Sequence, residues 1–315
     1  MMRLFFTIIL SVLCLLSYGN GISSLAVQAV PSKLKEGANA VIRKDQRYLK
    51  VNSIEQAYLR VEKTVTILNE KGAHLAPVYI YYDPQRHIKQ ISCTIYNAQG
   101  EIIEEISPAE FGDYPAVSNA PLLEQHRFKV YSYRPSVYPY TIAYSYEVAW
   151  DGLYQFPTWN PISSEGVSVQ HASFTLDVVR GVKFGYKTYY LGDNPEIQRK
   201  GKRSIYTWTT ELVEAVAMEA LGPDFFEITP TLLLAPERFS YEGYPGSARS
   251  WQHFGQWVYE LLEGRQQLPE ATIEHVRQLV ADASGTREKV KLLYEYLQNN
   301  VKPLDLPLGI GSYQP

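Results

Sequence analysis

Six histidines, at positions 74, 87, 126, 171, 253 and 275, are scattered along the chain. None stands with acidic or cysteine partners at the spacing of metal ligands. The sequence has no His-Glu-x-x-His pair for zinc, no Cys-x-x-Cys and no Gly-x-Ser-x-Gly elbow. It also lacks a phosphate loop closing on Gly-Lys-Ser/Thr. The nucleophile to weigh is Cys93. A reactive thiol needs a helix N-terminus or a neighbouring cation to lower its pKa. Cys93 instead alternates with Ile91 and Ile95, the spacing of a strand, and reads as a small buried hydrophobe. The sequence therefore assigns no catalytic residue, no metal ligand and no cofactor.

Aromatic residues offer a different chemistry. Trp150, Tyr154, Phe156 and Trp159 lie close together around a turn. Exposed rings of this kind stack on sugars or peptides, and the same residue types fill sandwich cores. Tyr154 and Trp159 are the candidate ligand contacts, with peptide or polysaccharide as the implied partner. Glu104-Glu105, Arg199-Lys200 and Lys202-Arg203 read as solvated turn faces. A net charge of −3, from 30 basic and 33 acidic residues, lacks the basic excess of a nucleic-acid binder.

The elements that must hold these residues are mostly strands. The 25 tyrosines suit pleated, half-buried surfaces, and hydrophobic period two dominates residues 38–212. Tyr138, Tyr140, Ile142, Tyr144, Tyr146 and Val148 share one face of a strand. Val61, Val65 and Ile67 repeat the pattern, with Lys63 as the exception. So do Ile91–Ile95 (with Cys93 between them), Phe174-Leu176-Val178, Phe184-Tyr186-Tyr190 and Tyr206-Trp208. Residues 69–72 and 97–100 each end in glycine after polar residues, as hairpin loops do. The expected class is mainly β: an antiparallel β-sandwich over 36–220, then a short α-helical segment.

Residues 221–249 carry four prolines and read as a linker, with room for a strand over 228–235. From 250 to 315 the period is helical. Trp251, Phe254, Val258, Leu261 and Leu262 share one stripe behind Ser250 as cap. Ile273, Val276, Val280 and Ala283 follow behind Pro269. Val290, Leu293, Tyr294, Leu297 and Val301 form a third stripe behind Thr286 as N-cap. Three apolar stripes need a further layer to close a core, so this segment is expected to be the front of a domain that continues.

At the other end, Met1-Met2-Arg3, an apolar run over 4–16 and small residues at 17, 19 and 21 have the layout of a secretory signal peptide, residues 1–21. Bulky Leu13 before Cys14 fits a lipoprotein cleavage site poorly. The mature chain then keeps one cysteine, which pairs with nothing internally. It also has no further run long enough to cross a bilayer. Export to the periplasm or beyond the cell is the expectation.

Several stretches carry a family resemblance. They are RVEKTVTILNEKG at 60–72, YNAQG at 96–100, YSYEV at 144–148, FPTW at 156–159, the helix over 287–301, and GIGSYQP at 309–315. Across roughly 36–315 the chain resembles exported bacterial proteins in which a β-sandwich domain of unknown function precedes a transglutaminase-like core. Ser312 stands where that family usually has glycine. The resemblance implies a cysteine at a helix N-terminus, a histidine base and an orienting aspartate, all following the GIGSYQP-like segment. No residue of this chain inherits those roles. The function expected on this ground is that of a non-catalytic N-terminal accessory part, with a sandwich that binds peptide or polysaccharide as the alternative.

Overall fold

The computed structural model describes residues 23–116, 125–192, 194–265 and 267–301. The signal peptide at 1–21 and the GIGSYQP segment lie outside the described residues. In chain order the strands are β1 (Ala40–Ser53), β2 (Gln56–Ile67), β3 (Val78–Tyr82), β4 (Arg86–Tyr96), β5 (Ile102–Ile106), β6 (Gly112–Pro115), β7 (Arg127–Tyr131) and β8 (Tyr140–Asp151). They continue as β9 (Val167–Val179), β10 (Phe184–Tyr189), β11 (Glu196–Lys200), β12 (Arg203–Val213), β13 (Thr231–Pro236), β14 (Arg238–Tyr241) and β15 (Tyr244–Ser247). Three helices follow: α1 (Trp251–Leu262), α2 (Glu270–Leu279) and α3 (Thr286–Asn300).

An open eight-stranded sheet, ordered β11-β12-β9-β1-β2-β8-β4-β5, forms one layer. Its outermost strands are five residues each. Glu104, Glu105, Glu196, Arg199 and Lys200 stand on those edges, which blunts edge-to-edge pairing. Two small sheets form the second layer. The β3-β7-β6 sheet lies against β4 and β8. The β10-β13 pair lies over β12, with Phe184 edge-on to Tyr206 at 5.0 Å and Tyr186 edge-on to Trp208 at 5.4 Å. Between the layers sit Ile42, Leu49, Val65, Ile95, Ile142, Phe174, Leu176, Trp159 and Trp208. The chain is mainly β, as its alternation predicts.

Two features depart from a simple antiparallel reading. β1 pairs antiparallel with β2 but parallel with β9. More than a hundred residues separate β1 from β9, enough for the crossover that parallel pairing requires. Residues 69–72 are also not a hairpin loop, because β2 and β3 are not paired. Asn69 instead opens a 3-10 turn, its Oδ1 accepting from Lys71 N at 3.0 Å. A Cβ on Gly72 would come within 2.3 Å of the Asn39 carbonyl oxygen, so glycine is there for close backbone approach. Gly100 fits its expected role: φ is +81° in the loop joining β4 to β5.

The stretch 221–249 contributes β13, β14 and β15. α1 packs on the β14–β15 hairpin through Trp257 and Leu261 against Phe239. Ser250 caps α1, its Oγ accepting from His253 N at 3.3 Å. At α3 the cap is Gly285, not Thr286, which is the first helical residue. Glu288 reaches back to accept from Ser284 N at 2.7 Å and Ser284 Oγ at 2.6 Å, so this carboxylate, not threonine, ties down the start of α3.

Phe174 is fully buried between Trp159 and Trp208. Phe174→Ala is expected to cost about 3–5 kcal/mol, read as a lower urea midpoint with an unchanged slope.

Candidate functional site

The break in the β2 alternation locates the most unusual part of the molecule. A β-bulge at Arg43 shifts the phase of β1 between Ile42 and Lys44. Before it, Ala40 and Ile42 face the core; after it, Leu49 and Val51 do. The same shift turns Asp45 and Arg47 inward. Across the sheet, Asp45 stands opposite Lys63, which stands opposite Tyr144, which stands opposite Cys93. In the next inward-facing row, Phe174, Arg47, Val61, Tyr146 and Ile91 are in register. Two cations, one carboxylate and two phenols thus share the inner face of the central strands, between the areas covered by the two small sheets.

Asp45 holds this group together. Arg47 Nε donates to its Oδ1 at 3.3 Å, and Lys63 Nζ stands 3.6 Å from its Oδ2. Solvent reaches none of the Asp45 side chain, but it reaches 23% of Arg47 and 15% of Lys63. The carboxylate is therefore behind and the cations are in front. Burial opposes ionisation of Asp45, yet Arg47 and Lys63 hold its carboxyl below the usual carboxylate range. Burial likewise opposes the charge on Arg47, and Asp45 overcomes it to raise that group. Lys63 is drawn below its ordinary value by burial, against the pull of Asp45. Burial raises the Tyr146 phenol, which keeps it protonated and able to donate.

Tyr144 and Tyr146 have parallel rings, 6.4 Å apart. Tyr146 also lines a cavity of about 170 Å³ with Leu59, Tyr81, Arg86, Val148, Trp150, Gln155 and Pro157. The Arg86 guanidinium lies over the rings of Tyr81 at 5.3 Å and Trp150 at 5.2 Å, a cation–π arrangement. Tyr81 Oη is hydrogen-bonded to His126 Nδ1. The row carrying Arg47 and Lys63 thus borders, through Tyr146, an aromatic-walled cavity in which Arg86 is paired with Asp83 at 3.6 Å. Neither contains an activated nucleophile.

The residues singled out by sequence fall differently. Trp159 is 0% exposed and packs against Phe174, so no ligand stacks on it. Burial beneath β13, to which it is bridged through Leu232, is the reason. Tyr154 is half-buried among Phe239, Tyr241 and Trp257, where it joins the sheet layer to α1. Cys93 is a buried core residue, its thiol pushed up to about 12 by burial and by Glu104. Trp150 does line the cavity. Asp45, Arg47 and Lys63 escaped the sequence reading as a group; the Lys63 exception in β2 was the available signal. Among the described residues, no three His, Cys, Asp or Glu side chains are grouped to hold a metal.

The family model of DUF3857, a domain of unknown function with a solved structure, matches residues 55–217, from β2 to beyond β12. The chain belongs to the DUF3857 family. No curated protein matches the DUF3857 chain. Among solved structures, it is similar in fold to a provisionally assigned protease from Parabacteroides distasonis. That likeness has 17% identity and a TM-score of 0.63, over 88% of this chain and 53% of that one. The chain thus spans about half the length of that protein. An M1 zinc metallopeptidase from Deinococcus radiodurans overlaps at 11% identity and a TM-score of 0.29, over 64% of this chain and 43% of the other.

Asp45→Asn leaves two inward-facing cations without their anion. It is expected to destabilise the fold by about 3–5 kcal/mol, whereas Glu62→Gln, which breaks the exposed Lys44–Glu62 pair, costs about 0–1 kcal/mol. Because the folded-state pKa of Asp45 is depressed, its contribution is present above the unfolded carboxylate value of about 3.9. It is lost as pH falls through the folded value. Urea midpoints measured from pH 7 down to pH 2 should therefore converge for wild type and Asp45→Asn at the acid end. Iodoacetamide at pH 7.5 should leave Cys93 unmodified in the native chain and label it in urea, by peptide mapping.

Proposed function

We propose that this DUF3857 chain is the N-terminal, non-catalytic part of an exported bacterial-type protein whose chemistry belongs to a transglutaminase-like core. The observation that carries the reading is the state of the three helices. α1 buries Trp257 and Leu261 but leaves Trp251 88% exposed, with Tyr259 and Leu262 also open. On α3, Val290, Tyr294 and Leu297 are exposed, and so is Val301 just beyond it. His275 of α2 meets Tyr296 of α3 at 5.0 Å, yet neither helix has a fully buried residue. Helices of this length are marginal in water without tertiary packing, and contiguous apolar faces of this kind mark a surface that another layer covers.

Two facts support a domain in that place. The likeness to the Parabacteroides distasonis protein covers more of this chain than residues 1–249 can supply, so it reaches into the helical segment. Nearly half of that protein has no counterpart here. The GIGSYQP resemblance makes the covering layer a transglutaminase-like core, and the signal-like leader supplies export. In this arrangement the DUF3857 sheet acts as the accessory domain, and the α1 contact with β14–β15 sets its position relative to the core.

The reading frame following Pro315 tests the proposal. A cysteine at a helix start, then a histidine and an aspartate, is the expected outcome, and a continuation without them overturns the catalytic assignment. The present chain should leave peptide amides and glutamine side chains untouched. Turnover that survives Cys93→Ala would show that the site lies within this chain after all. Addition of the downstream segment should quench binding of an apolar dye such as ANS to the α1–α3 surface; undiminished dye binding would argue against the covering layer.

A further inference from the structure

We infer that the recess on the inner face of the central sheet is a binding site for a carboxylate that carries an apolar or aromatic group, with Arg47 as its principal anchor. The inference rests on the recess alone and is independent of what covers the helices.

Arg47 and Lys63 face the recess, and the compensating Asp45 lies behind them, out of solvent contact. One carboxylate against two cations leaves a positive site in a partly desolvated space. A buried cation is costly unless it is paired and hydrogen-bonded. An anion entering from the open side meets both cations before it meets Asp45.

The hydrogen-bonding count points the same way. Arg47 uses Nε on Asp45, and its two terminal nitrogens bond to no described residue. Those two nitrogens form the parallel fork that matches the two oxygens of a carboxylate. Lys63 makes one ion pair, at 3.6 Å. The Tyr146 hydroxyl, in register with Arg47 across Val61, also bonds to no described residue. These donors converge on one face of three adjacent strands, which are rigid elements well suited to hold a preorganised site.

The walls then select what the carboxylate is attached to. Tyr146, next in register to Arg47 and Val61, also lines the cavity formed with Leu59, Tyr81, Arg86, Val148, Trp150, Gln155 and Pro157. Apart from Gln155 and Arg86, these surfaces are apolar or aromatic. Its volume of about 170 Å³ is below the roughly 300–1,000 Å³ of pockets that take drug-sized ligands. It suits one large side chain rather than an extended oligomer. A polysaccharide without a carboxylate would leave Arg47 unmatched. A free acid such as an N-blocked amino acid and the C-terminal residue of a peptide present the same chemistry.

Calorimetric titration of the purified chain separates the outcomes. The probes are N-acetyl-L-phenylalanine and the peptide Gly-Gly-Gly-Gly-Phe, each as free acid and as C-terminal amide. Saturable binding of the acids, with the amides at least about tenfold weaker, is expected. Binding of both acids identifies a peptide C-terminus as an acceptable source; binding of the blocked amino acid alone restricts the site to small free acids. Arg47→Lys keeps the charge, removes the fork and should weaken acid binding about tenfold. Tyr146→Phe, which keeps the ring, should weaken it severalfold and decides the matter if Arg47→Lys fails to fold. Equal affinity for acid and amide, no saturable binding of either acid, or unchanged affinity in the folded variants would overturn the inference. None of these results bears on the reading frame past Pro315.

Discussion

A carboxylate removed from solvent and held against two cations organises the centre of this molecule. Asp45 has no water to solvate it, so its charge depends on Arg47 and Lys63. Arg47 lies two residues along the same strand, β1, whereas Lys63 lies on β2 and reaches Asp45 only while the two strands keep their register. The bulge at Arg43 maintains that register. It puts Ile42 and Leu49 on the same face despite their odd separation, and Asp45 and Arg47 go inward with them. A one-residue slip in this ladder would expose the apolar set and the ion cluster together.

The second layer makes the cluster accessible. A continuous covering sheet would seal the inner face. Here the cover is split, with β3-β7-β6 over the β4–β8 side and β10-β13 over the β12 side. Apolar residues fill both covered areas, and the polar row occupies the middle. The division matches the energetics. Fully covered regions carry Trp159, Phe174 and Trp208, which gain from complete burial. The partly open region carries the groups that would lose most from it.

The helical segment is organised by a different balance. α1 is fastened to the β14–β15 hairpin through an aromatic cluster of Phe239, Trp257, Tyr154 and Tyr241. α2 and α3 touch the rest of the described molecule far less. The half-buried Tyr154, the aromatic that looked like a ligand platform, is the hinge of this arrangement between sheet layer and helix. Its ring is used for packing, and its neighbours come from residues some 85 to 100 positions away. Local sequence around 150–159 carries no trace of them.

Period-two alternation was enough to read β2, β4, β8, β9, β10 and β12, because each presents one face to a core and one to solvent, and the pattern needs only the strand itself. Helical spacing likewise located α1, α2 and α3, although α2 ends at Leu279 and leaves Val280 and Ala283 of its expected stripe beyond the helix, and the buried nature of Cys93 followed from its apolar neighbours. Pairing was beyond reach. Whether β1 meets β9 in parallel, and whether 69–72 closes a hairpin or lets the chain leave the sheet, depends on contacts between segments far apart in sequence. The same holds for the recess: Asp45, Arg47, Lys63 and Tyr146 each look like ordinary strand residues, and only the bulge and the three-strand register bring their charges to one place. The sequence by itself determined the class of element at each stretch, since hydrophobic period is a local property. Tertiary structure alone decided which polar side chains are buried together, since burial is a property of the assembled layers.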